Sequence, residues 1–121
     1  MEKNKSECVF CKIVKGEIPC HKIWEDENFL AFLDIEPAGE GHTLVIPKKH
    51  FRTLLDVEKE YSSKFIKFLQ KVGKILIEKY KSDGFNIVLN NGKSAGQVVE
   101  HVHFHILPRK QGDGKKGFIL N

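Results

Sequence analysis

Apolar and polar positions repeat along this chain with two periods, and the switches between them mark out its elements. In "CVFCKIVKGEI" (8–18) apolar residues fall at 9, 10, 13 and 14, a short helical stripe that Pro19 would close. "HKIWED" (21–26) and "NFLAFLDI" (28–35) read as two strands joined by an acidic turn over residues 25–28. "EPAGEG" is turn material, and the short β-branched run "HTLVIP" (42–47) reads as a third strand ending at Pro47. Across residues 57–81 the period changes. Tyr61, Phe65, Phe68, Leu69, Val72, Ile75 and Leu76 recur at steps of three and four, the stripe of a long amphipathic helix. "SDG" ends it, "FNIVLNN" (85–91) makes a fourth strand, "GKSAGQ" (92–97) a Gly-rich loop, and "HVHFHILP" (101–108) a fifth strand. Short links and one long inserted helix predict a single α+β domain over residues 1–121. Its sheet is expected to be five-stranded and mostly antiparallel, with one long and one short helix.

Composition narrows the function. A chain of 121 residues that is 40% hydrophobic supports one core. No apolar run approaches the ~18 residues of a spanning helix. The opening "MEKNKSECVF" lacks the apolar stretch of a secretory signal, so a cytoplasmic location without a membrane partner is expected. The formal charge of +4 is carried mostly by lysines, with no arginine-rich block; it suits an anionic ligand and does not demand nucleic acid. Lys64, Lys67, Lys71 and Lys74 share one helix face, read as solvated, an RNA- or phospholipid-binding stripe being the alternative. Three cysteines are an odd number, which argues against a disulfide framework. Cys8 and Cys11 form a C-x-x-C pair that could be a redox pair, half a zinc site or chance. Cys20 reads as a small packing residue.

Half of the six histidines lie within five residues, at 101, 103 and 105. In a strand these side chains share one face, while Val102, Phe104 and Ile106 share the other and can sit on a core. At ~3.3 Å per residue His101 and His105 would have backbones ~13 Å apart, too far for all three imidazoles to hold one metal. The row therefore reads as separate positions in a longer site. A solvated sheet face would explain one histidine but not three at a strict period.

"HVHFHIL" resembles the His-φ-His-φ-His-φ-φ signature of the histidine triad nucleotide hydrolases and transferases, φ being apolar. "CKIVKGEIP", "FLAFLDIEP", "GHTLVIPKKH", "NNGKSAGQ" and "HVHFHILPR" follow in the order and spacing of its Hint-type branch, from Cys8 to Arg109. The resemblance implies a histidine-triad-like fold. It also implies attack on the α-phosphorus of a purine nucleotide bearing an amine, an acyl group or a further nucleotide, through a nucleotidyl-histidine intermediate. His103, the central histidine, would be the nucleophile, and His105 a donor to phosphate oxygens. His42 would orient the row from a neighbouring strand. Asp34 would accept both ribose hydroxyls. Phe10, Ile13 and Ile35 would line a slot for the base. Asn90, the Gly96 backbone N–H and Gln97 in its loop would meet the phosphate. Taken alone, Asp34 would be a turn residue and the apolar trio core.

The zinc-bearing branch of the family implies a structural Cys₂His₂ zinc site of Cys8, Cys11, His50 and His101, with no organic cofactor. A twofold homodimer is also implied, with the long helix and the strand before the Gly-rich loop in contact. The chain departs from some relatives at Val98, where they carry a serine thought to help the leaving group. It departs again in its short tail "QGDGKKGFILN", which would help shape the mouth of the site through a partner subunit. Two other functions fit the pattern less fully: a non-catalytic nucleotide-binding sensor or interaction module, and a zinc buffer.

Overall fold

β1 (Lys22–Glu25), β2 (Phe29–Leu33), β3 (Thr43–Pro47), β4 (Gly84–Leu89) and β5 (Phe104–Arg109) form one sheet in a computed structural model that describes residues 5–114. The order is β1-β2-β3-β5-β4, and every neighbouring pair is antiparallel. β2 and β3 lie inside the sheet and are apolar at almost every position, because both faces are covered. Phe29, Ala31, Val45 and Ile106 point to one face. Leu30, Phe32, Leu44 and Ile46 point to the other.

The first face is covered by α2 (Ser62–Tyr80), which buries Phe65, Phe68, Leu69, Val72 and Leu76 against it. Truncating a fully buried side chain such as Leu76 to alanine costs about 2–5 kcal/mol. The second face is covered by α1 (Val9–Val14), whose Phe10 joins Cys8, Cys11, Leu30, Phe32 and Leu44. The chain is thus three layers, and His105, paired with Leu44, belongs to the second face. Lys64, Lys67, Lys71 and Lys74 all remain on the exposed side of α2, with the Lys71 ammonium 4.9 Å from the ring centre of Trp24.

Several boundaries differ from the sequence pattern. α1 stops at Val14, five residues before Pro19, because the chain turns through Gly16 at φ +81°. The long helix begins at Ser62, although Val57 and Tyr61 fit the stripe. Val57 is extended and Tyr61 closes a 3-10 turn (Lys59–Tyr61), yet both still pack on the core. Their periodicity reports burial, not helix. At the other end Lys81 takes a left-handed φ of +55°, and the Ser82 N–H closes on the Ile77 carbonyl at 3.1 Å.

The largest correction concerns β5. It begins at Phe104, so of the three alternating histidines only His105 lies in the strand. The Val102 N–H leaves the ladder and donates to the Phe51 carbonyl at 2.7 Å. His101 and His103 are therefore held on an irregular approach to the strand.

Among the described residues no helix is long and apolar enough to cross a membrane. Residues 115–121, the end of the tail expected to shape the mouth of the site, lie outside the described residues.

Candidate functional site

The three histidines are all buried, and each meets different partners. His101 turns toward the N-terminal segment. Its Nδ1 lies 3.3 Å from the Cys8 Sγ and 3.6 Å from the Cys11 Sγ, and the Cys11 Sγ lies 3.4 Å from the His50 Nδ1. Bonds of ~2.3 Å to sulfur and ~2.0 Å to nitrogen at a tetrahedral centre put S and N ligands roughly 3.5 Å apart. Cys8, Cys11, His50 and His101 have that spacing, with all four ligand atoms within 4.8 Å of one another. The far ring nitrogen of His101 donates to the Pro47 carbonyl at 2.8 Å, which fixes Nδ1 as the lone pair facing the sulfurs. Burial pushes the His101 pKa down to about 4, so the ring is neutral, as a metal ligand must be. The Cys11 N–H also donates to the Cys8 Sγ at 3.4 Å, so the pair is organised by the start of α1. The donor set is closed and fits zinc.

His103 faces the opposite way. Its Nδ1–H donates to the His101 carbonyl at 2.8 Å, which leaves Nε2 as the unprotonated nitrogen. Phe10 stands edge-on against this ring, centroids 5.1 Å apart. Burial lowers the His103 pKa below the ordinary histidine value, opposed by the hydrogen bond to the His101 carbonyl and the charge of Asp34.

His105 belongs to a short relay. The Ala38 N–H donates to the His42 Nδ1 at 3.0 Å, so a neutral His42 carries its proton on Nε2. That nitrogen lies 3.0 Å from the His105 Nδ1 and donates to it. The His105 proton must then sit on Nε2, which is buried and has no hydrogen-bond partner among the described residues. Burial, then the neighbouring His103 and His42, push the His105 pKa down to about 4, and burial lowers that of His42 as well. Asp34 stands beside the relay, its Oδ2 3.7 Å from the His42 Nε2, while its Oδ1 accepts the Glu36 N–H at 2.9 Å. The two triad rings so present opposite characters: a lone pair on His103 and an N–H on His105.

Both open onto one cleft of about 740 Å³, which Phe10, Ile13, Asp34, Ile35 and His42 also line. Its volume suits a nucleotide-sized ligand. Phe32, Leu44, Ile18, Pro19, Cys20 and Val99 extend the apolar wall. The sequence pattern marks Pro19 only as a helix stop and Cys20 as a packing residue, and singles out none of the others; the one available signal is that apolar residues fall on both faces of β2 and β3. Asn90 stands one residue beyond β4 and is not among the lining residues, nor are Gly96 and Gln97. The Gly96 N–H donates to the Lys93 carbonyl at 3.0 Å, closing a 3-10 turn. The buried Gln97 side chain is a strut. It accepts the Gly92 N–H at 2.7 Å and donates to the carbonyls of Arg52 and Val99 at 2.7 and 2.9 Å. It also borders a smaller pocket of about 260 Å³ beside Arg52 and Lys93.

The model of the HIT domain matches residues 15–112. The chain belongs to the histidine triad family. An uncharacterised HIT-like protein of Methanocaldococcus jannaschii is 53% identical over 108 residues, 89% of this chain and 83% of that protein. An adenosine 5′-monophosphoramidase of Saccharomyces cerevisiae is 45% identical over 113 residues, 93% of this chain and 68% of the yeast protein. A zinc-bound histidine triad protein of Mycobacterium smegmatis superposes with a TM-score of 0.87 at 44% identity, covering 98% of this chain and 85% of that one. The Mycobacterium protein therefore shares the fold of the present chain.

Proposed function

We propose that this histidine triad protein is a nucleotide hydrolase or transferase that cleaves the bond between the α-phosphate of a purine nucleotide and its substituent. The observation that carries the reading is the neutral, unprotonated Nε2 of His103, fixed by the His101 carbonyl and opening onto the cleft. The yeast relative named as an adenosine 5′-monophosphoramidase supports the reaction class.

The base lies against Phe10, Ile13 and Ile35, and the ribose hydroxyls hydrogen-bond to Asp34. This places the α-phosphorus between His103 and His105. The His103 Nε2 attacks, the bond to the leaving group breaks opposite it, and the His101 carbonyl steadies the charge on the ring through Nδ1–H. The His105 Nε2–H, without another partner among the described residues, donates to the phosphoryl oxygen as negative charge gathers there. Asn90 and the Gly96 loop approach the phosphate from beyond β4. Water then attacks the nucleotidyl-histidine, a proton goes to solvent, and His103 departs as the neutral imidazole.

Cys8, Cys11, His50 and His101 would hold a structural zinc ion, which would crosslink the N-terminal segment to the approach of β5. The zinc-bound Mycobacterium relative supports that assignment. We also propose a homodimer through β4 and α2. β4 is an edge strand that exposes Phe85 and Ile87, and α2 exposes Ile66.

Trapping the protein with an adenosine 5′-phosphate derivative, followed by mass spectrometry, tests the chemistry. An adenylyl adduct on His103 is expected. His103→Ala should lose it and lower turnover by on the order of 10⁴-fold or more. Equal turnover in the two proteins would leave only a binding module or a zinc buffer.

A further inference from the structure

We infer that the solvent face of α2, with Trp24 of β1 beside it, is a docking surface for single-stranded nucleic acid. It stands apart from the cleft, and the chemistry proposed for the cleft does not bear on it.

α2 holds five lysines and one glutamate, Glu78, a formal +4 that equals the excess of the whole chain. At ~100° per residue, Lys64, Lys67, Lys71 and Lys74 fall within an arc of ~80° and span ~15 Å of the helix axis. Elsewhere on this surface lysines are paired: Lys22 and Lys48 bind Glu25, Lys49 binds Glu58, and Lys110 reaches Glu40. Among the described residues none of the four stripe lysines has an ion-pair partner. Glu60 and Glu78 stand four residues beyond either end of the stripe and do not close on it. Like charges at steps of three and four repel, so folding gains nothing from this arrangement.

Trp24 is the second observation. It is 42% exposed, and the Lys71 ammonium lies over its ring. A β-bulge puts it there. Lys22 pairs with Phe32 and Trp24 with Ala31, so two residues of β1 match one step of β2. Ala31 belongs to the face that α2 covers. In regular register Trp24 would pair with Leu30, on the opposite face. Glu25 takes that place, where Lys22 and Lys48 bind it. The bulge thus parts the indole from the neighbouring acid and sets it against the lysines.

Charge and ring together select the partner. A stacked single strand carries a phosphate every ~3.4 Å, so ~15 Å of it presents roughly four phosphates to four ammonium groups. A base stacking on Trp24 displaces the Lys71 ammonium, which moves to a neighbouring phosphate. A bilayer would demand apolar side chains along the same face, whereas the exposed Ile66 of α2 lies ~120° around the helix from the centre of the stripe. An acidic peptide matches the charge and makes no use of the ring.

The test titrates the full-length protein with a short oligouridylate. Anisotropy of a labelled strand gives Kd, and quenching of Trp24, the one tryptophan of the chain, gives the place of contact. Saturable binding that quenches Trp24 is expected at ~50 mM salt, with log K falling against log salt at a slope of about −2 to −3. Lys67→Glu combined with Lys71→Glu should weaken binding at least about tenfold without lowering Tm, both positions being exposed. Trp24→Ala should weaken it about fivefold or more. No binding at that salt, or binding retained in either variant, overturns the inference. So does displacement of the strand by AMP, which would put it in the cleft. Equal quenching by phosphatidylserine vesicles or by oligoglutamate also overturns it, and assigns the face to a membrane or to an acidic protein.

Discussion

Each titrating ring of the relay is buried, and its response to acid has a definite sign. Free histidine titrates near ~6.5, whereas burial brings His105 down to about 4 and lowers His42 and His103 as well. Between those two values the unfolded chain binds protons that the folded chain does not. Stability therefore falls as pH drops from about 6.5 toward 4, and these rings add no pH dependence above that window. Urea midpoints at pH 7, 5.5 and 4.5 should decline in that order, and His105→Gln should make the decline shallower. An identical slope in the variant would mean that His105 is protonated in the fold. The types and places of the side chains involved were legible in the sequence: His42, His103, His105 and Asp34 all reach one cleft. Their tautomers were not. These depend on the Ala38 N–H and the carbonyls of His101 and Pro47, backbone groups common to nearly every residue whatever its side chain, which only the folded path can aim.

Among the elements, the link into β3 is the most tightly specified. Gly41 has φ +81°, and a Cβ there would stand 2.8 Å from a ring carbon of Tyr80 and 2.9 Å from Pro108. Backbone and space both oppose a side chain, so Gly41→Ala should cost about 2–3 kcal/mol in urea unfolding. It should also slow turnover, because the next residue is His42. Gly73 of α2 makes the contrast. A Cβ there would press only on the outer edge of the Phe85 ring, which is partly exposed and can swing away. Gly73→Ala should therefore cost less than Gly41→Ala, and the reverse order would show that the Tyr80–Pro108 wall yields easily. Elements with a clean period were readable along the chain: β2, β3 and the body of α2 fall where the pattern puts them. Where burial continued past the element, the pattern overran it, as at Val57 and Tyr61. Where a strand-like alternation was interrupted by a hydrogen bond from outside the sheet, as at Val102 with Phe51, nothing in the pattern announced it.

For the molecule as a whole, the proposed metal and the proposed dimer make separate claims. A structural zinc held well above its dissociation constant adds about 4 kcal/mol by linkage, so stripping it with a strong chelator should lower Tm by more than about 10 °C. Zinc should restore the wild type but not Cys8→Ser. A Tm indifferent to chelator would exclude the metal. Ile87→Lys sets a charge on the exposed edge of β4 without touching the cleft. Sedimentation should show its mass fall from two chains to one; an unchanged mass would place the contact elsewhere. His101 spans two of these concerns at once. Its imidazole faces the thiols of Cys8 and Cys11, and its carbonyl, on the same residue, steers the ring of His103. Pull the first few turns of the chain away, and the peptide plane that aims the reactive nitrogen is set loose. Damage to this N-terminal anchor would first be felt as a loss of aim, in a protein whose sheet and helix still stand.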